Sequence, residues 1–91
     1  MPLKVTIPTA LRRITKDADV VEVEAGTVKE IISRVDESYP GFRSRVCEDD
    51  DTPRRFINIY VDGEDIRFLD KLSTPVPDGA EVSIILAIAG G

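Results

Sequence analysis

The sequence predicts an α+β fold, a mixed sheet with one main helix packed on one face. Three observations carry that expectation. Two short runs of alternating apolar and polar residues come first. A single helix signal follows, combining a capping box with an apolar stripe. Further strand segments separated by turn residues complete the chain.

Leu3, Val5 and Ile7 alternate with Lys4 and Thr6, the period of a half-buried strand. Pro8-Thr9 ends that run, and Ala10 to Ala18 reads as a long hairpin loop anchored by Leu11 and Ile14. Val21, Val23 and Ala25 alternate with Glu22 and Glu24 as a second strand, which Gly26 breaks. Thr27 is a candidate N-cap, with Glu30 three residues later completing the box. Val28, Ile31, Ile32 and Val35 then form the i, i+3, i+4, i+7 stripe of an amphipathic helix, with Tyr39 placed to extend it and Pro40-Gly41 to stop it.

Phe42 to Cys47 reads as a short strand or irregular segment, and Glu48 to Pro53 as a charged loop. Phe56 to Val61 is the strongest strand, with Ile57, Ile59 and Val61 on one face and Phe56, Asn58 and Tyr60 on the other. Asp62-Gly63 is a tight-turn signal. Glu64 to Phe68 is expected to return as an edge strand and Leu69 to Leu72 to form a helical turn. Pro75, Pro77 and Asp78-Gly79 bracket a loop, Glu81 to Ile88 is the last strand, and Ala89-Gly90-Gly91 is a tail. The expected order is β-β-α-β-β-β in one domain, residues 1–91, with 89–91 as a flexible C-terminal tail.

Composition narrows the function classes. With 91 residues, 42% apolar and 32% charged, the chain suits one small globular domain rather than an enzyme with a deep pocket. Its 12 basic and 17 acidic residues leave a net charge of −5, unsuited to phosphate backbones, so no nucleic-acid partner is expected. No apolar run has the length of a signal peptide or a membrane helix, so no membrane association and a cytoplasmic location are expected. Cys47 is the single cysteine, which excludes an intrachain disulfide and a cysteine-built metal site. There is no histidine, so the commonest general base and metal ligand is missing. No bound cofactor or metal is expected. Glu48 to Asp51 is read as a solvated acidic loop rather than a cation site. Arg54-Arg55 either neutralise it or contact a partner.

The remaining signal is the C-terminus, where Gly90-Gly91 follow an apolar strand. Glycine ends are common in flexible tails. The element order makes this one specific. Asn58 to Phe68, Pro77 to Ile84 and the terminal Ala89-Gly90-Gly91 resemble the β-grasp (ubiquitin-like) fold, and within it the ThiS and MoaD type of sulfur carrier. Val5 to Arg12 and Phe56 to Val61 look most like the CysO-type branch of cysteine biosynthesis.

The resemblance implies a carrier that is a co-substrate rather than an enzyme. A ubiquitin-activating-type adenylating enzyme would use ATP to convert the Gly91 carboxylate to an acyl adenylate. A sulfur donor would turn it into a thiocarboxylate. A sulfur-accepting synthase, cysteine synthase-like or the molybdopterin synthase large subunit, would receive the sulfur; thiamine and tRNA thiolation are further acceptors. Gly90 would supply slim backbone able to thread a channel. Partner-binding candidates are Ile85 and Ile88, surplus to the core if Val82, Ile84 and Leu86 face inward, together with Phe68, Phe56 and Ala89. Two alternatives stand beside the carrier: a ubiquitin-like covalent modifier, and a non-catalytic β-grasp interaction module or molybdopterin synthase small subunit.

Overall fold

A computed structural model describes residues 2–49 and 52–86. Leu3–Thr6 (β1) pairs antiparallel with Val20–Val23 (β2), placing Leu3 opposite Val23 and Val5 opposite Val21. All four are buried, because alternation sends every second side chain inward. The loop between them contains a helical turn, Thr9–Leu11, with Leu11 buried and Ile14 packed against the core, the two anchors expected. Thr15 is fully buried as well, and its hydroxyl donates to the Ala18 carbonyl at 2.9 Å. A polar core residue is tolerated there because the loop itself satisfies the hydroxyl.

The main helix, Val28–Ser38 (α1), opens with the capping box as read. The Glu30 N–H donates to Thr27 Oγ1 at 3.2 Å, and the Thr27 N–H donates to Glu30 Oε1 at 2.9 Å. Val28, Ile31, Ile32 and Val35 are all buried, and Tyr39 packs against the core at the C-cap. Gly26 does not simply end a strand. Gly26–Thr27 (β3) pairs with Pro75–Val76 (β8), closing the mouth of α1.

Phe42–Val46 is a second short helix (α2), not the strand or irregular segment expected. The Asp36 carboxylate explains it. It accepts from the N–H of Gly41 at 3.1 Å and of Arg43 at 3.0 Å, bonding the turn into α2 back to α1. Gly41 makes that turn with φ of 100°, a conformation open to glycine. Phe42 and Val46, one turn apart, are both fully buried. Cys47–Asp49 (β4) and Thr52–Pro53 (β5) form a small hairpin, within which residues 50 and 51 lie outside the described set.

Ile57–Val61 (β6) follows, with Ile57, Ile59 and Val61 buried and Asn58 and Tyr60 half-exposed; Phe56 precedes it and is exposed. Asp62 and Gly63 both have positive φ, 49° and 88°, the signature of a type I′ turn. The returning strand, Glu64–Asp65 (β7), is much shorter than the Glu64 to Phe68 expected. The Asp65 carboxylate accepts the Arg67 N–H at 2.9 Å and its guanidinium at 2.7 Å, turning the chain into a helical turn, Ile66–Phe68. The turn expected at 69–72 lies at Lys71–Ser73.

The last described strand, Glu81–Leu86 (β9), lies in the middle of the sheet, whose order is β2-β1-β9-β6-β7. It runs parallel to β1, Val5 beside Val82, and antiparallel to β6, Ile59 beside Ile84. The expected mixed sheet with a main helix on one face is therefore the architecture observed.

Candidate functional site

The position of β9 decides where any tail begins. Leu86, half-buried, pairs with Ile57 at the start of β6. On the other side β1 pairs only as far as Ser83, and the Pro8 to Ala10 turn borders Ile84, Ile85 and Leu86 instead. Leu86, the last described residue, thus lies on a central strand held between neighbours, which fixes the point from which any tail would start. Gly90 and Gly91, the candidate reacting end, lie outside the described residues, as do Ile88 and Ala89.

Two other candidates can be placed. Val82 and Ile84 are buried and Leu86 packs against the core, so alternation turns Ile85 outward, opposite Asn58 of β6. Ile85 is 47% exposed, Phe56 44% and Phe68 85%. Ile85 and Phe56 border hollows that share Leu86. Phe68 sits apart, in the turn after β7, with β6 between that strand and β9. Apolar side chains left in water in this way mark contact surfaces more often than scattered single residues do.

The side chains around Leu86 were harder to foresee. Arg12, Arg45, Arg54 and Arg55 line the hollows that meet there, and among the described residues Glu48 is the acid beside them. They come from the loop after β1, from α2 and from the segment between β5 and β6. Only the Arg54-Arg55 pair drew attention in the sequence; Arg12 and Arg45 are brought in by the fold. The Arg55 guanidinium lies 5.8 Å from the centre of the Phe56 ring, within cation–π range.

Cys47 is buried, and burial pushes its thiol up from the ordinary value, against the weaker pull of Arg43 and Arg54. A raised thiol is a poor nucleophile, and Cys47 packs as a small apolar residue. Glu48 and Asp49 are exposed on β4. Among the described residues no group of three or more His, Cys, Asp or Glu side chains could hold a metal ion. Also among them, no helix is long and apolar enough to cross a membrane. Among the described residues two carboxyls titrate below their ordinary range, both for local structural reasons. Asp65 is held down first by the side chain of Arg67, and Glu30 first by the backbone N–H of Thr27.

Residues 5–91 match the model of the ThiS family. The chain belongs to the ThiS family. The sulfur carrier protein CysO of Mycobacterium tuberculosis is 38% identical over 93 aligned positions that span the whole of both chains. The crystal structure of that organism's CysO superposes with a TM-score of 0.89 at 35% identity, covering 94% of this chain and 99% of the other. CysO from Amycolatopsis orientalis, in its crystal structure with BexX, gives a TM-score of 0.91 at 40% identity, covering 98% of this chain and 99% of the other. The resemblance to CysO-type carriers read from the sequence is therefore shown by family, sequence and fold. The ThiS-family protein has the β-grasp architecture, with its central strand leading to the C-terminal end.

Proposed function

We propose that this ThiS-family protein is a cytoplasmic sulfur carrier of the CysO type whose reacting group is the Gly91 carboxylate. The observation that carries the reading is the full-length match to CysO carriers, on a fold whose central strand leads into Gly90-Gly91. A carboxylate oxygen of Gly91 attacks the α-phosphorus of ATP in the adenylating enzyme, and pyrophosphate leaves. Hydrosulfide released by the sulfur donor then attacks the activated carbonyl, AMP leaves as the C–O bond breaks, and the thioacid formed loses its proton to give the thiocarboxylate. The carrier contributes no catalytic group. It supplies a fixed root, slim backbone at Gly90 and the carbon that reacts.

Ile85, with Phe56, Ile88 and Ala89, forms the partner contact in this reading, and Phe68 is a separate contact beyond β7. The existence of a CysO/BexX complex supports the view that a carrier of this shape docks onto a second protein. A cysteine synthase-like enzyme is the first choice of acceptor, and a molybdopterin synthase large subunit the second.

Exchange of labelled pyrophosphate into ATP, catalysed by the adenylating enzyme from the same organism, tests activation. Exchange should require this protein and vanish when Gly90 and Gly91 are removed. Exchange that survives the deletion contradicts the reading. Sulfur-free isopeptide adducts on other proteins would instead favour the covalent modifier.

A further inference from the structure

The sulfur-carrier reading leaves unexplained why arginines gather at the root of the tail. The whole chain carries 17 acids to 12 bases, yet among the described residues the ionisable side chains lining the hollows around Leu86 are four arginines and one acid, Glu48. The basic band continues past them. Arg54 and Arg55 also line an adjoining hollow of about 310 Å³ with Arg67 and Lys71, where the acid present, Asp65, is already committed to Arg67. On the other side of Arg54 the band ends, where a further hollow places Asp36, Glu48 and Asp49 beside Arg43 and Arg54.

Two of these arginines are held in place by backbone. Arg12 Nε donates to the Ile7 carbonyl at 3.1 Å, and Arg54 Nε to the Ser44 carbonyl at 2.8 Å. A guanidinium anchored through Nε has less freedom to lose on docking. Arg45 and Arg55 are exposed beside them, and Phe56, Ile85 and Leu86 provide apolar surface between the charges. Arginine with aromatic and aliphatic groups is the composition of a protein contact centre.

Resting on that reading, we propose that this arginine collar docks onto an acidic rim surrounding the tail channel of the adenylating enzyme. Chain geometry distinguishes a rim from the nucleotide. The five residues from 87 to 91 span about 17 Å when extended, so a threaded tail carries its carboxylate well past the collar. The collar then faces the mouth of the channel, where charge complementarity sets encounter rate and register.

The test is binding of the full-length chain to the adenylating enzyme without ATP, across a salt series. The double variant R45E/R55E is compared with R45K/R55K and wild type; Arg12 and Arg54 are left intact because they brace local backbone. Thermal melts of all three confirm folding. Charge reversal should weaken binding about tenfold at low salt, lysine should retain most of it, and the gap should close near 0.5 M salt, where the Debye length falls to a few ångströms, roughly 4 Å. Affinities of wild type and R45E/R55E agreeing within about twofold at low salt would overturn the collar, since steering charges must show there. So would a difference that appears only with ATP, which would assign the arginines to the nucleotide phosphates. Salt-dependent docking without any pyrophosphate exchange would retain the collar and reject the sulfur-carrier chemistry, so the two failures are separable.

Discussion

Ile84 and Ile85 are consecutive on β9 and differ in almost everything that matters to the protein. Ile84 is 2% exposed, beside Ile59, in the core that β6 and β9 share with α1. Ile85 is 47% exposed on the opposite face, beside Asn58. The covered face of these strands makes the fold, and the open face is available to a partner. Residue type alone does not separate the two roles. The pleat does, because it alternates side chains between faces.

Substitutions that separate the two faces sharpen this comparison, and the largest expected effect is on the covered side. Ile84→Ala should cost about 2–5 kcal/mol by equilibrium denaturation, the transfer and cavity terms of a buried aliphatic. Ile85→Asp, one residue away, should cost less, about 1 kcal/mol from the poorer strand propensity of aspartate, while weakening activation by the adenylating enzyme. A melting loss for Ile85→Asp as large as that for Ile84→Ala would break the comparison.

Next in size is the turn joining β6 to β7. A Cβ on Gly63 would meet nothing within 4 Å, so Gly63→Ala isolates the cost of the positive φ, about 1–2 kcal/mol. Thr27→Ala removes the hydroxyl half of the capping box and should cost about 1 kcal/mol in the same measurement.

The smallest effect is a pH dependence. The folded Glu30 carboxyl lies below its ordinary value, so its contribution is full above the unfolded value near 4.3 and lost as pH falls through the folded value. The stability difference between wild type and Glu30→Gln should therefore be present at about pH 6 and shrink toward about pH 3. A constant difference across that range would show that charge plays no part in the cap.

Much of this was legible in the sequence because the signals were local. The alternation at Leu3 to Ile7 and Ile57 to Val61, the box at Thr27 and Glu30, and the stripe from Val28 to Val35 each depend on spacing within a few residues. What escaped depended on contacts formed only in the folded chain. α2 needs Asp36 of α1 to bond the backbone of Gly41 and Arg43, and its Phe42–Val46 pair is too short a stripe to outweigh the preceding Pro40-Gly41. β7 ends early because Asp65 captures Arg67, a pairing that alternation alone cannot show. The outward position of Ile85 followed from period-two reasoning. The gathering of Arg12, Arg45, Arg54 and Arg55 did not, because it joins the loop after β1 to α2 and, across the β4–β5 hairpin, to the Arg54-Arg55 pair.

The central claim is that the Gly91 carboxylate accepts sulfur. Its most direct test is the mass of the C-terminal fragment after incubation with ATP, a sulfide source and the adenylating enzyme. The account predicts an ATP-dependent exchange of oxygen for sulfur, localised to the Gly90-Gly91 fragment and lost when those residues are deleted. Localisation matters because oxidation of Met1 or Cys47 nearly matches the nominal mass change. An unchanged terminal fragment, with an enzyme proven active on another carrier, would contradict the account and leave a β-grasp interaction domain with a glycine tail.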